Sequence, residues 1–229
     1  MNISIVVPTK NEEGTISEIL RKCLELKDKL DVAEILVIDG RSTDSTMDMV
    51  RKFDVDLVVD NGLGKGAAIR QAIKHVTGDI VVFIDADGSH DPADIPRLIQ
   101  PIVNGECDHV TGSRMKGGSD ELHGDFAKFL RMLGSDIITL GINYRFNVRL
   151  TDSQNGFRAI RSEVARQLPL KENITTIEQE LIIKTLKAKY RMGEVPTHEY
   201  KRKSGESKVS VRRMWPRYVY TWLKYMFSG

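Results

Sequence analysis

"VVFIDADGSHDP", Val81 to Pro92, decides how the rest of the chain is read. An apolar run of strand character ends on two carboxylates one residue apart, Asp85 and Asp87, and stops at Gly88. Pro92 then suits the first turn of a helix over "PADIPRLIQPIV". Two nearby like charges oppose each other's ionisation. No cationic residue adjoins the pair in sequence, so a positive charge from elsewhere is expected there. Upstream the same unit recurs. "ISIVV" (Ile3 to Val7), "EILVID" (Glu34 to Asp39), "DLVVD" (Asp56 to Asp60) and "DIVVFID" (Asp79 to Asp85) read as strands. Between them lie the stripe Ile16, Ile19, Leu20, Cys23, Leu24 and the helical segments "STDSTMDMVRKF" and "KGAAIRQAIKHV". "DHVTGSR" (Asp108 to Arg114) follows as a further strand. The series predicts an α/β fold: a Rossmann-like, mainly parallel sheet with helices on both faces.

In such sheets ligands lie at the carboxyl ends of the strands, where "PTKNEE", "DGRSTD", "DNGLGKG" and "DADGSH" all fall. Four loops converge on one edge. A hard divalent cation, Mg²⁺ or Mn²⁺, suits Asp85 and Asp87, because Mg²⁺ takes one or two carboxylates and completes its shell with water and phosphate oxygens. Such a site favours a nucleotide diphosphate substrate. "NGLGKGAAIR" (Asn61 to Arg70) fits a diphosphate neighbourhood: its glycines allow close approach, Lys65 supplies charge and a helix N-terminus follows. The same loop also reads as a tight turn onto a packed helix, and it matches neither the P-loop nor G-x-G-x-x-G. Asp39 can accept hydrogen bonds from a base or ribose, whereas Asp44 and Ser42 suit helix capping. Glu12 reads as a ligand or as a first-turn acid. His90, near the acids, is expected to cap its loop.

The formal net charge of +2 excludes a global polyanion-binding signature, and no nucleic-acid partner is expected. Cys23 and Cys107 form no metal or redox pattern and are expected to be reduced and buried. "MNISIVVPTK" lacks a leader pattern, which points to a cytoplasmic address. No run reaches the ~18 apolar residues of a spanning helix. The histidines lack zinc-type spacing, and no G-x-S-x-G elbow occurs.

After Arg114 the alternation fades. "FAKFLRMLGSDIITLGINYRF" (Phe126 to Phe146) reads as a long, largely apolar helix or helix pair, followed by a short strand around "GFRAI", helices at "SEVARQL" and "TIEQELIIKTLKAKY", and a strand at "MGEVPTHEY". The end, "MWPRYVYTWLKYMFSG", carries a stripe at Tyr218, Trp222 and Tyr225 beside Arg217 and Lys224. Aromatics mixed with cations suit a membrane interface, and packing on the parent domain is the rival reading. The expected division is a catalytic domain over 1–211 and an amphipathic, membrane-interfacial helix over 212–229.

"VVPTKNEEGTI", "VIDGRSTDST", "GLGKGAAIR", "IDADGSHDP", "GSRMKGG", "TDSQNGFRAI" and "KRKSGESK" occur in the order found in family 2 glycosyltransferases of the GT-A fold. The chain most resembles the dolichyl-phosphate mannose synthase branch and its polyprenyl-phosphate glucosyltransferase relatives. The resemblance implies that Pro8, Lys10, Glu12, Val37 and Asp39 line the base and ribose pocket, with Asp85 and Ala86 continuing its wall and Lys65 at the diphosphate. Asp87 becomes the chief metal ligand, with Asp85 and Ser89 beside it. Arg131, Ser135, Arg202 and Lys208 become the acceptor-phosphate and diphosphate group. Arg114 joins them, because Arg114, Arg131 and Arg202 offer the planar forks that grip phosphate. Asp87, Arg131 and Arg202 are the expected catalytic residues. Many relatives differ at the positions of Gly40, Ser89 and Asn155, so the base, metal and sugar are not carried over.

The chemistry of transfer fits. Attack at an anomeric carbon passes through an oxocarbenium-like state, and the departing diphosphate must be stabilised. A sugar hydroxyl needs a base to remove its proton. A phosphate monoester, with its second pKa near ~6, is already largely dianionic at pH 7 and needs cations instead. Asp152 is therefore assigned a positioning role. "RKSGES" is expected to close over the donor. The expected function is an inverting transferase moving a hexose, mannose ahead of glucose, from a GDP- or UDP-linked sugar to dolichyl or polyprenyl phosphate. It would act at the cytoplasmic membrane face, with a membrane partner protein as a further candidate. The rivals are transfer to a saccharide hydroxyl and a non-enzymatic receiver-like signalling domain.

Overall fold

The computed structural model describes residues 1–121, 126–202 and 211–227, with side chains described outside 126–131 and 211–214. In chain order the elements are β1 (Ile3–Thr9), α1 (Ile16–Leu24), β2 (Val32–Asp39), α2 (Thr46–Val50), β3 (Asp56–Val59), α3 (Lys65–His75) and β4 (Ile80–Phe83). A 3₁₀ turn (Pro92–Asp94) leads into α4 (Ile95–Val103). Then come β5 (His109–Ser113), α5 (Arg114–Gly117), α6 (Phe126–Phe146), β6 (Arg158–Arg161), α7 (Ser162–Gln167), α8 (Ile177–Lys187), β7 (Met192–Pro196) and α9 (Val211–Phe227).

The strands form one sheet in the order β3-β2-β1-β4-β6-β5-β7. Every pairing is parallel except those of β6, which runs antiparallel between β4 and β5. All seven residues of β1 are buried, as expected where both sheet faces are covered. One core joins the sheet to α1 and α4 through Ile5, Val7, Leu20, Val82, Ile95 and Leu98. A second joins the opposite face to α3, α7 and α8 through Val6, Phe83, Ile69, Val164 and Leu181. Cys23 lies in the first core. Cys107 is only half-buried, which corrects the expectation for that thiol; both are free.

A third core holds the C-terminal helices together: Ile138 and Ile142 of α6, Ile182 and Ile183 of α8, and Tyr225 and Met226 of α9. Gly134 of α6 faces the Trp215 ring and Gly141 faces the Trp222 ring, leaving no room for a Cβ at either glycine. Seven residues separate the two contacts on each helix, so α6 and α9 run parallel and in step, as in a heptad seam. The aromatic stripe Tyr218, Trp222 and Tyr225 thus faces the protein. Besides Trp215, which is partly exposed where it meets Gly134, α9 exposes Tyr220, Leu223 and Phe227; α6 exposes Leu133, Ile137, Leu140 and Tyr144. Because the helices advance together, both exposed rows fall on the side opposite the third core.

Candidate functional site

The carboxyl ends of β1 and β4, the start of α3 and the turn before β6 enclose a cavity of about 950 Å³. Pro8, Lys10, Glu12, Lys65, Asp85, Ala86, Asp87, Ser89, Arg114, Ser135 and Arg202 all line it, so most of the residues singled out in the sequence converge. Val37 and Asp39 do not line it. Val37 is buried in the first core. Both carboxylate oxygens of Asp39 are taken inside its own turn, by the Ser42 hydroxyl at 2.5 Å and the Ser42 amide at 2.9 Å. The wall beside them is instead formed by Gly40 and by Asp60 at the end of β3.

The positive charges expected beside Asp85 and Asp87 come from distant parts of the chain. Lys65 Nζ lies 2.7 and 2.8 Å from the two Asp85 oxygens, and Arg202 Nε lies 3.2 Å from Asp87 Oδ2. Burial alone would lower the Lys65 pKa; the charges of Asp85 and Glu178 outweigh it and raise it. Burial would likewise raise that of Asp85, but the Lys65 charge holds the carboxyl below its ordinary range. Asp87 Oδ1 accepts the Ser89 amide at 3.0 Å, while the Ser89 hydroxyl sits 3.1 Å from His90 Nδ1. Burial lowers the His90 pKa, and its ring lies tilted against Phe157 with the centroids 5.2 Å apart.

Among the described residues no group of three His, Cys, Asp or Glu could by itself hold a metal ion. Two carboxylates at one cavity edge nevertheless fit a hard cation that draws its remaining ligands from a bound phosphate and water. Asp85 and Asp87 are the residues that would hold it.

Arg114 lines the cavity and is paired with acids of its own chain. Its guanidinium grips Asp152 in bidentate fashion, Nε to Oδ2 at 2.6 Å and Nη2 to Oδ1 at 2.9 Å, and reaches Glu199 at 3.2 Å. Two carboxylates hold it at the cavity wall, and they engage three of its five donors. The Asp152 side chain has no accessible surface. Burial would raise its pKa, yet the Arg114 charge and hydrogen bonds hold it below the ordinary carboxylate range. Ser135 reaches the cavity from α6. Arg131 lies on α6 with its side chain outside the described set, and Lys208, with most of the segment expected to close, lies outside the described residues.

Sequence reading missed Glu178, Arg158 and Gly156. Glu178, in the first turn of α8, places Oε1 3.0 Å from Lys65 Nζ and Oε2 2.7 Å from Arg158 Nη2. In sequence it reads as an ordinary first-turn acid. Arg158 is the largest fully buried side chain, and a cation in the middle of "GFRAI" was the signal available for it.

A mainly parallel sheet with paired acids at one strand end and a helix N-terminus beside them defines an α/β domain with its ligand crevice at the carboxyl ends of the strands. The chain belongs to glycosyl transferase family 2, whose model matches residues 4–168. Glycosyltransferase AglJ of Haloferax volcanii is 30% identical over 204 residues, 89% of this chain and 64% of that protein. A dolichol-phosphate mannosyltransferase of Pyrococcus furiosus is 30% identical over 235 residues, 98% of this chain and 64% of that protein. This chain thus spans about two-thirds of the length of either relative. Glucosyl-3-phosphoglycerate synthase of Mycobacterium tuberculosis, solved with Mn²⁺, UDP and phosphoglyceric acid, superposes with a TM-score of 0.79 at 23% identity. That match covers 100% of this chain and 79% of the other. It shares the GT-A fold.

Proposed function

We propose that the protein is an inverting hexosyltransferase that moves mannose, or next glucose, from a nucleotide diphosphate sugar to a dolichyl or polyprenyl phosphate. The observation that carries the acceptor assignment is the state of Asp152. A hydroxyl acceptor needs a base to take its proton. Here the candidate base is inaccessible, doubly bonded to Arg114 and held ionised. A phosphate oxygen attacks without giving up a proton. It bonds to the anomeric carbon on the face opposite the diphosphate, and the carbon–oxygen bond to the nucleoside diphosphate breaks with its electron pair leaving on the diphosphate. Asp85 and Asp87 would hold Mg²⁺ or Mn²⁺, which when bound neutralises charge on the departing diphosphate. Lys65 at the start of α3 supplies a second positive charge on that side. Arg202 orients phosphate; Arg131 and Lys208 are assigned to the same group by the family resemblance alone.

The surface of α6 and α9 suits a lipid acceptor. The helices that present Ser135, Ile138, Trp215 and Tyr218 to the cavity carry the exposed apolar rows on their outer side. A bilayer laid against those rows brings a lipid phosphate to the cavity mouth while its chain stays in hydrocarbon. No described helix is long and apolar enough to cross a membrane. The protein sits on the cytoplasmic face as a peripheral protein, and a membrane-spanning partner remains compatible with that placement.

The test offers GDP- and UDP-linked hexoses with Mg²⁺ or Mn²⁺ to three acceptors: polyprenyl phosphate, the corresponding free polyprenol and a disaccharide. Product is expected with the phosphate alone. Turnover on the polyprenol or the disaccharide would replace this reading with transfer to a hydroxyl.

A further inference from the structure

We infer that Glu178 and Gly156 form a clamp that positions the Lys65 ammonium on the cavity floor, making Glu178 a positioning residue for the donor diphosphate. The inference rests on the transfer reading and adds to it the device that keeps its lysine in place. A lysine is a compact charge on a flexible four-carbon stem, and ordering that stem costs conformational entropy. At the start of α3 it commands an anion site only if the ammonium is held in one position. Three observations show how it is held.

The ammonium lies between two carboxylates, 2.7 Å from Asp85 Oδ1 and 3.0 Å from Glu178 Oε1. Asp85 Oδ2 lies within 2.8 Å as well, so three carboxylate oxygens surround its three donors, and a donor becomes available to a phosphate oxygen when Asp85 turns toward a cation. Glu178 is in turn anchored from behind, because its second oxygen lies 2.7 Å from Arg158 Nη2 and the Arg158 side chain has no accessible surface. Arg158 also donates to the Asn155 carbonyl. Asn155 Oδ1 accepts the Phe157 amide at 2.9 Å, tying the turn that holds Gly156.

Gly156 closes the clamp. A Cβ at this position would fall on Lys65 Nζ, 2.9 Å from Asp85 Oδ2 and 3.3 Å from Glu178 Oε1. Gly156 is not among the glycines with positive φ, so an alanine there crowds the Lys65 and Asp85 side chains without straining the backbone. Arg158, Glu178, Lys65 and Asp85 make a neutral row of alternating charge. When Asp85 turns toward another cation, Glu178 remains as the partner that keeps Lys65 in place.

Isothermal titration calorimetry of GDP and of UDP, each with Mg²⁺, tests this without turnover. Gly156→Ala displaces the ammonium without changing any charge, and Glu178→Gln removes one arm of the clamp. Each is expected to weaken nucleotide binding by about 10- to 100-fold, the loss of one charge-assisted hydrogen bond. In a Lys65→Met background both substitutions should cause no further loss, because they act through the lysine. Glu178→Gln also leaves Arg158 buried without its partner, so its melting temperature should fall; Gly156→Ala, which meets the far end of a flexible side chain, should melt near wild type and keeps the test decisive if Glu178→Gln misfolds. Wild-type affinity in Gly156→Ala, or full additivity with Lys65→Met, would overturn the clamp and leave the transfer reading intact. Failure of the wild-type protein to bind either nucleotide would overturn both.

Discussion

Asp152→Asn is the substitution that separates a buried structural carboxylate from a catalytic base. It keeps the shape of the side chain and removes its charge. In the native structure Asp152 has no accessible side-chain surface and Arg114 only 13%, with contacts of 2.6 and 2.9 Å between them. Removing one member of a buried ion pair costs roughly 3–5 kcal/mol. Glu199 stays 3.2 Å from Arg114, which places the cost at the lower end, about 3 kcal/mol. For a chain of this size each kcal/mol moves the midpoint by about 2–4 °C, so thermal melting should drop by roughly 6–12 °C. In a double-mutant cycle Arg114→Met combined with Asp152→Asn should cost less than the sum of the two singles, because of the three charges only Glu199 is then left without its partner. A free base predicts the reverse: an unchanged melting temperature and a rate lowered by ~10²–10⁴. That pair of results would refute the acceptor argument.

The same carboxyl sets a pH dependence. Its folded pKa lies below the unfolded value of about 3.9, so its stabilisation is present in full above that value and is lost as pH falls through the folded pKa. The stability gap between wild type and Asp152→Asn in urea should therefore persist from pH 7 to pH 5 and shrink below about pH 4. Asp87→Asn should abolish Mg²⁺-dependent nucleotide binding in calorimetry while melting within a few degrees of wild type, since its partner Arg202 is well exposed. Leu140→Glu with Phe227→Glu should lower co-sedimentation with vesicles by more than about tenfold, because fully burying each side chain contributes roughly 1.5–3 kcal/mol. Their exposures of 68% and 76% leave the melting temperature unchanged. Gly141→Ala presses a methyl into the Trp222 ring and should destabilise by about 1–3 kcal/mol.

Much of the site was legible because its residues end strands. Asp85, Asp87, Lys65, Pro8, Lys10 and Glu12 each sit where an apolar run meets a polar loop, and a parallel sheet brings all such loops to one edge. Asp39 has the same position but does not line the cavity, and a local hydrogen bond to Ser42 orients its carboxylate. Arg114 stood in a suggestive loop, and its pairing with two acids far along the chain could not be read from that loop. The tryptophans carried the right composition for an interface, but the glycines that receive them lie on a different helix.

Local periodicity determined the strands, the helices and the loop edge, since alternation and turn residues act through neighbours along the chain, and the motifs at that edge carried the family resemblance. The antiparallel insertion of β6, the Lys65–Asp85–Glu178–Arg158 row, the saturation of Asp152 and the outward face of α9 were decided only by tertiary packing. Each depends on pairing groups dozens of residues apart inside a low-dielectric interior. There the partner found in space, and not the neighbour in sequence, determines whether a charge is stored, oriented or left for a ligand.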